Sequence, residues 1–534
     1  MRNLFILILL SCTSYLTAQT VITGTVVDKY GPLPGASVVA KSSNLGTITD
    51  FNGEFTLKVN NEDTIIVSFL GFLTQEIITT GKTTFEIMLQ EDVNQLDELV
   101  VIGYGSVRKK DVTGSISSID SERMLATVVS SVDQGIQGKA PGVVVNFGSG
   151  QPGSKSTVRI RGISSITGTL EPLYVVDGVP LITPTNVGAV SGPSMNALES
   201  INPRDVESVE VLKDASATAI YGTRGANGVI LITTKRGSDG KPTVNIDYSG
   251  SMQFLRKEIP MLNAMQLAQL GNEAADNAGV DRRTIYASPI NLGTGTNWQQ
   301  EIFRNAPMHN VQLSLRGGNE KTKYSLSGNY FTQDGIIISS NYQKANFRIN
   351  LDQEVSDQVK IGTSINLNRN VLNGVVTDAE SGIPSSITSW ALEFNPGLPV
   401  FDENGEYTYS NNTSNPPVGN PVSDAYETDQ TSISSRILGN IFLRWNIIEG
   451  LNFKTSIAGD SYFNTEKSFI PNNVYRGQEK GQAAIADSNG YSWIWENTLT
   501  YNKNFGDHSL NTVIGQSMQV MRNEFLLVAA SDFD

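Results

Sequence analysis

At 534 residues, with 39 Lys and Arg against 53 Asp and Glu and a net charge of -14, the chain is too long for one ordinary hydrophobic core. It is also too acidic to bind nucleic acid through the phosphate backbone, so several domains or one very large sheet, and no nucleic-acid partner, are expected. Two histidines and one cysteine exclude histidine metal clusters and argue against a histidine-based triad.

The chain starts "MRNLFILILLSCTSYLTAQT", with one basic residue, an apolar stretch from Leu4 to Leu10 and then small and polar residues. This is a secretory signal pattern, residues 1–18, with cleavage expected after Ala18; "LLSC" at Cys12 offers lipoprotein processing as the alternative. Beyond it no run reaches the roughly 18 apolar residues of a spanning helix, so a spanning structure would be a closed β-barrel.

Residues 19–92 hold short alternating strands, "VITGTVVD", "LPGASVVA", "GTITDFNGEFTLKV", "DTIIVSFLGF" and "TTFEIML", at the spacing of a small β-sandwich. "DFNG" at 50–53 reads as a hairpin turn rather than a calcium loop, since the further acidic ligands are missing. Residues 93–110 form a polar linker around a short strand-like run, "LDELVVIGYG" at 96–105. From 111 to 237 helix and strand signals mix: "SSVDQGIQGKAPGVVV" is a short helix, a Pro-Gly break and a strand, and "RDVESVEVLKD" and "GVILITTKRG" are strands. The glycine-rich "VVVNFGSGQPGSKS" fails as a phosphate loop, because Lys155 comes one residue late and "TVRIRG" beyond it reads as a strand.

From 238 to 534 the period is two. Val311, Leu313 and Leu315 alternate with polar neighbours, as do Phe347, Ile349 and Leu351, and Ile441, Leu443 and Trp445. About nine strands of roughly ten residues are expected. Short turns at 317–320, 355–358, 447–450 and 504–507 alternate with longer loops near 256–308, 332–343, 373–429 and 466–489. That alternation, with aromatics near strand ends (Tyr324, Tyr330, Trp445, Trp493, Trp495, Tyr501), marks an outer-membrane barrel over a soluble sheet.

"LYVVDGVP" at 173–180 and "INPRDVESVEVLKDASATAIYGTRGANGVILITTKRG" at 201–237 resemble the SusC/RagA family of TonB-linked outer-membrane proteins. Gly24, Asp28, Pro34, Gly35, Ala36, Thr49, Asp50, Gly53 and "SFLGF" at 68–72 resemble the non-catalytic carboxypeptidase regulatory-like domain. The resemblance implies a mainly β chain: a regulatory-like β-sandwich, an α+β plug and then an incomplete antiparallel transmembrane β-barrel. It makes Glu98, Leu99, Val100, Val101, Ile102, Gly103 and Tyr104 a TonB-binding segment, able to add as a strand to another protein's sheet. It gives the plug motif Arg159, Arg161, Gly162, Asp177, Gly178, Lys213, Asp214, Tyr221, Gly222, Arg224, Gly225 and Gly228. Arg159 and Arg161 are expected to pair with carboxylates on the barrel wall, and Gly222, Gly225 and Gly228 to permit tight turns.

The implied function is import, with no enzyme activity and no cofactor. Its partners would be a TonB-type energy-transducing protein in the periplasm, a SusD-like surface lipoprotein, a glycan or peptide substrate and outer-membrane lipid. The rivals are a passive outer-membrane binding or adhesion barrel and a non-functional gene fragment. A plugged transporter needs about 22 strands, so the sequence is expected to stop within the barrel.

Overall fold

The computed structural model describes residues 20–29, 31–43, 45–60, 63–69, 72–90, 99–102, 105–108, 115–127, 129–147, 150–154, 156–163, 170–183, 197–375, 386–409, 418–475, 480–506 and 508–532. The signal pattern, Cys12 and the cleavage position at Ala18 lie outside them.

The first unit is a two-sheet sandwich of β1 (Thr20–Val27), β2 (Ser37–Ala40), β3 (Gly46–Ile48), β4 (Glu54–Val59), β5 (Thr64–Ser68), β6 (Gln75–Ile78) and β7 (Thr84–Met88). One sheet runs β4-β1-β7 and the other β3-β2-β5-β6. Every second residue points inward, so Ile22, Val38, Phe55, Leu57, Ile65 and Ile87 share one dry core. At Asp50 the carboxylate accepts the N–H groups of Asn52 and Glu54 at 2.9 and 2.8 Å, and Gly53 follows at φ 74°. The side chain caps its own turn, as the turn reading of "DFNG" requires. Next, β8 (Leu99–Ile102) and β9 (Gly105–Arg108) form a two-stranded sheet.

The second unit contains the plug and the wall around it. Plug strands are β10 (Ile116–Asp120), β11 (Val143–Phe147), β12 (Ser156–Ile160), β13 (Leu173–Val176), β14 (Val179–Pro180), β15 (Val206–Leu212) and β16 (Val229–Thr234). Five of them form a sheet in the order β10-β15-β16-β13-β14, in which β13 and β16 are parallel. β11 and β12 pair antiparallel, Val143 opposite Ile160, so a strand rather than a phosphate-binding helix follows the glycine-rich segment. Ile119, Met124, Ile136, Val158, Leu198, Val209 and Ile230 make the plug core, and wall residues Leu438, Ala458 and Ile494 complete it.

Among the described residues the wall is one antiparallel sheet of nine strands in chain order. These are β17 (Gly240–Gln253), β18 (Ala306–Gly318), β19 (Thr322–Asp334), β20 (Asn341–Glu354), β21 (Val359–Asn373), β22 (Asp429–Ile448), β23 (Leu451–Ile470), β24 (Gln482–Phe505) and β25 (His508–Ser531). The sheet is unclosed: β17 and β25 are its edges. The strands run 13 to 15 residues up to β21 and 20 to 24 from β22, longer than the ten expected. At a tilt of ~40° the longer set rises ~50–60 Å, twice the ~25 Å apolar band of such barrels. Polar alternation continuing past the apolar stretch hides that extra length in the sequence.

Two connections read as loops are partly folded. Asn263 and Gln266 form a reciprocal capping box for the helix Ala264–Ala278, which ends on Gly279 in the left-handed region. Helices Ile387–Glu393 and Pro421–Glu427 pack with Trp298, Ile302, Trp390 and Phe394 in a separate core. Trp298 Nε1 donates to the Asn395 carbonyl at 3.1 Å, joining the two connections into a cap on the ends of the wall strands opposite the short turns.

Candidate gating interface

Strand pleating puts alternate wall residues against the plug, and on that face most of them are polar. Gln312, Ser327, Asn329, Lys344, Asn346, Arg348, Asn350, Ser364, Asn366 and Arg436 are buried, while Leu313, Phe347, Ile365, Ile441 and Ile457 on the opposite face are exposed. An apolar exterior around a polar interior is the inversion that a lipid-facing barrel wall requires.

Asp177 and Gly178 turn the chain between β13 and β14 at φ 48° and 87°, the paired positive values of a type I′ hairpin. That turn drives a carboxylate into the wall. Asp177 accepts from Thr234 N at 3.0 Å and Thr234 Oγ1 at 2.7 Å, from Ser364 Oγ at 3.2 Å, and pairs with the buried Arg348 guanidinium. Asn440 Nδ2 donates to the Asp177 carbonyl at 2.8 Å. Burial pushes the carboxyl upward, but Arg348, Arg236 and the Thr234 bonds outweigh it and hold Asp177 below the usual carboxylate range.

A second latch follows five residues on. Arg436 on β22 and Asp460 on β23, diagonal neighbours because Arg436 is opposite Tyr462, form a buried ion pair, and both bond the plug backbone: Asp460 accepts from Ile182 N at 2.8 Å and Arg436 donates to Ile182 O at 2.7 Å. A third joins plug Glu199 to Tyr342 at 2.9 Å and Lys344 at 3.4 Å. Gln312 reaches Asp205 at 2.9 Å. Where the plug chain leaves for the wall, Arg236 pairs with Asp352 at 3.0 Å.

The remaining motif residues lie mostly at the plug's other edge. Arg161 at φ 59° pairs at 2.5 Å with Asp214 of the plug itself, not with the wall as expected. The left-handed turn at Arg161–Gly162 ends β12 and swings that side chain back along the plug. Asp214 also accepts the Ser115 N–H, and Lys213 donates to Ser117 Oγ at 2.8 Å and Pro141 O at 3.0 Å. These bonds clip the start of β10 in place, and the Ser115 bond, then Arg161, holds the Asp214 carboxyl below its ordinary range. Arg159, opposite Val144 on β12, has no ion pair among the described residues, so its expected wall carboxylate is not found there. Arg224 does reach the wall, donating to Gln519 on β25. Tyr221 packs on Val175, Leu212, Val229 and Leu231. Gly222 and Gly228 have φ 59° and 90°; Gly225 does not, but a Cβ there would meet Thr218 O at 2.9 Å.

Of the segment expected to bind TonB, Leu99, Val100, Val101 and Ile102 are the strand β8, with β9 along one edge. Glu98, Gly103 and Tyr104 lie outside the described residues. Sequence reasoning missed Ile182, Glu199 and Thr234 on the plug and Lys344, Arg348, Arg436 and Asp460 on the wall. The available signal was their phase, because each wall charge sits at a polar position of an alternating strand.

Residues 108–229 match the TonB-dependent receptor plug domain, and residues 22–101 the CarboxypepD_reg-like domain. A TonB-dependent receptor of Formosa agariphila is 36% identical over all of this chain and 51% of its own length. The TonB-dependent receptor SusC of Bacteroides thetaiotaomicron is 30% identical over 95% of the chain and 51% of its own. In fold, the RagAB peptide importer in its open-open state matches 81% of the chain and 50% of its own, at TM-score 0.69 and 24% identity. The plug seated in an apolar-faced wall is that of the TonB-dependent receptors, which are not enzymes. Within that class the chain is homologous to SusC and shares its fold with the RagAB importer. It spans about half the length of the curated relatives it matches.

Proposed function

We propose that the complete receptor imports a large nutrient, of the glycan or peptide class, across the outer membrane. The plug blocks the lumen, a TonB-type periplasmic protein engages Glu98–Tyr104 by strand addition, and a SusD-like lipoprotein covers the outer side. The observation that carries this reading is the polar-lined, apolar-faced wall filled by a plug that ion pairs hold. Moving the plug away from these pairs would leave buried charges on the wall without their partners, so opening needs work from a pull. The relationship to SusC, and the likeness to an importer of peptides, support both the energised mechanism and the size of the cargo.

Deleting residues 96–104 in the complete protein abolishes growth on the substrate and its accumulation, while the barrel still assembles. Pro at Val100 or Val101 removes a ladder donor and does the same. A passive adhesion barrel would be indifferent to all three changes, so unchanged accumulation in them would sink the import reading.

A further inference from the structure

Along the lumen face of the wall, cations come with acids. Lys323 pairs with Asp239 at 3.1 Å, Lys344 with Glu199, Arg348 with Asp177, Lys360 with Asp352 at 4.0 Å and Arg436 with Asp460, and Arg316 lies near Asp205. Arg444 and Lys454 differ in having no ion pair among the described residues, although Glu496 lies near Lys454. They are opposed across β22 and β23, and Arg444 faces Lys360 across β21, so three cations stand in one row on three neighbouring strands. Like charges directly opposed are unfavourable.

Among the described residues Arg444 has no ion pair or hydrogen bond, and Lys454 has no ion pair, only the charge of Glu496 nearby and the face of Phe442, 5.4 Å away. Arg236, from the end of the plug, lies over the same ring at 5.7 Å. Phe442 is fixed across Gly362, where a Cβ would come within 2.4 Å of it. The neighbouring acids sit to the sides: Asp352 holds Arg236 and Lys360, Glu354 is opposite Lys360, and Glu496 lies one row further up from Lys454. The row stands at the short-turn ends of the strands, the periplasmic foot of the lumen.

We propose that this foot is an anion station: Arg444 and Lys454, flanked by Lys360 and Arg236, take a carboxylate or sulfate group carried by the cargo as it leaves the lumen. Rows of Arg and Lys are how pores select anions, and an acidic group bridging Arg444 and Lys454 relieves their mutual repulsion. The proposal rests on the import reading and narrows it, because cargo of either class would carry negative charge.

The test uses the complete receptor in detergent, titrated calorimetrically with hexagalacturonate, with its fully methyl-esterified form of the same skeleton, and with sodium sulfate. The acid form binds about tenfold tighter than the ester at low salt, and the preference shrinks as salt rises. It is lost in Arg444→Gln/Lys454→Gln and kept in Arg444→Lys/Lys454→Arg, which separates charge from folding. Equal affinities for acid and ester, or a preference that survives the Gln pair, overturn the station. Binding of sulfate with no preference among the hexamers means an adventitious ion only, and overturns it too. Binding needs no energised partner, so failure of the import reading would show separately, as accumulation unaffected by deletion of 96–104.

Discussion

In the sandwich strand Glu54–Val59 the buried positions are Phe55, Leu57 and Val59. In the wall strand Asn341–Glu354 they are Tyr342, Lys344, Asn346, Arg348, Asn350 and Asp352, while Phe347 and Leu351 are exposed. Both strands alternate with period two, so alternation says that two faces differ and not which of them faces the core. The sandwich buries its apolar face because its surroundings are water. The wall can turn that face outward only if lipid covers it, and its polar face only if the plug supplies partners.

The largest test breaks the wall's polar interior. Arg436→Leu leaves Asp460 buried with the Ile182 N–H and no counter-charge, a loss of about 3–5 kcal/mol. Hydrogen exchange at the plug backbone near Ile182 should rise sharply, and adding Asp460→Leu should restore most of the protection. Next comes the outer face. Arginine at Ile365, 40% exposed on β21, should destabilise the receptor in bilayers by about 2–4 kcal/mol. Arginine at Ile48, 70% exposed on the sandwich, should change stability by no more than about 0.5 kcal/mol. Equal effects of the two would mean that lipid does not cover the wall. A smaller effect belongs to the plug: Gly228 has φ 90°, and a Cβ there would come within 2.6 Å of Ile160, so Gly228→Ala should loosen β16 by about 1–3 kcal/mol.

The order of domains was legible because each has its own periodicity, and the turn at Asp50 because Asn-Gly has few alternatives. The plug residues Asp177 and Gly178 were legible through resemblance, but not the purpose of their turn. That purpose depends on Arg348, 171 positions away in sequence, and pairing at such a distance leaves no local trace. Arg161 misled for the same reason: an outward charge on a strand says nothing about which carboxylate lies within reach. The cap was written in the sequence, in Asn263, Gln266 and Gly279, but segments full of Asn, Gly and Pro read first as loops.

The weakest difference between the two regions is their response to acid. In the sandwich, Asp63 accepts from Ser42 N at 3.1 Å and Thr64 N at 2.8 Å, and its carboxyl is bonded by Ser42 Oγ as well. Burial raises the carboxyl, but these bonds outweigh burial and leave it below the ordinary value of 3.8. A carboxyl depressed on folding stabilises above its unfolded pKa and loses that contribution as pH falls through the folded one. The sandwich should therefore keep its stability down to about pH 4 and lose about 1 kcal/mol or less below it. Asp63→Asn removes the pH-dependent part by abolishing the charge. The readout is amide exchange in β5 and at Ser42 between pH 5 and pH 3, and a slope unchanged by Asp63→Asn would assign the acid response to other carboxylates.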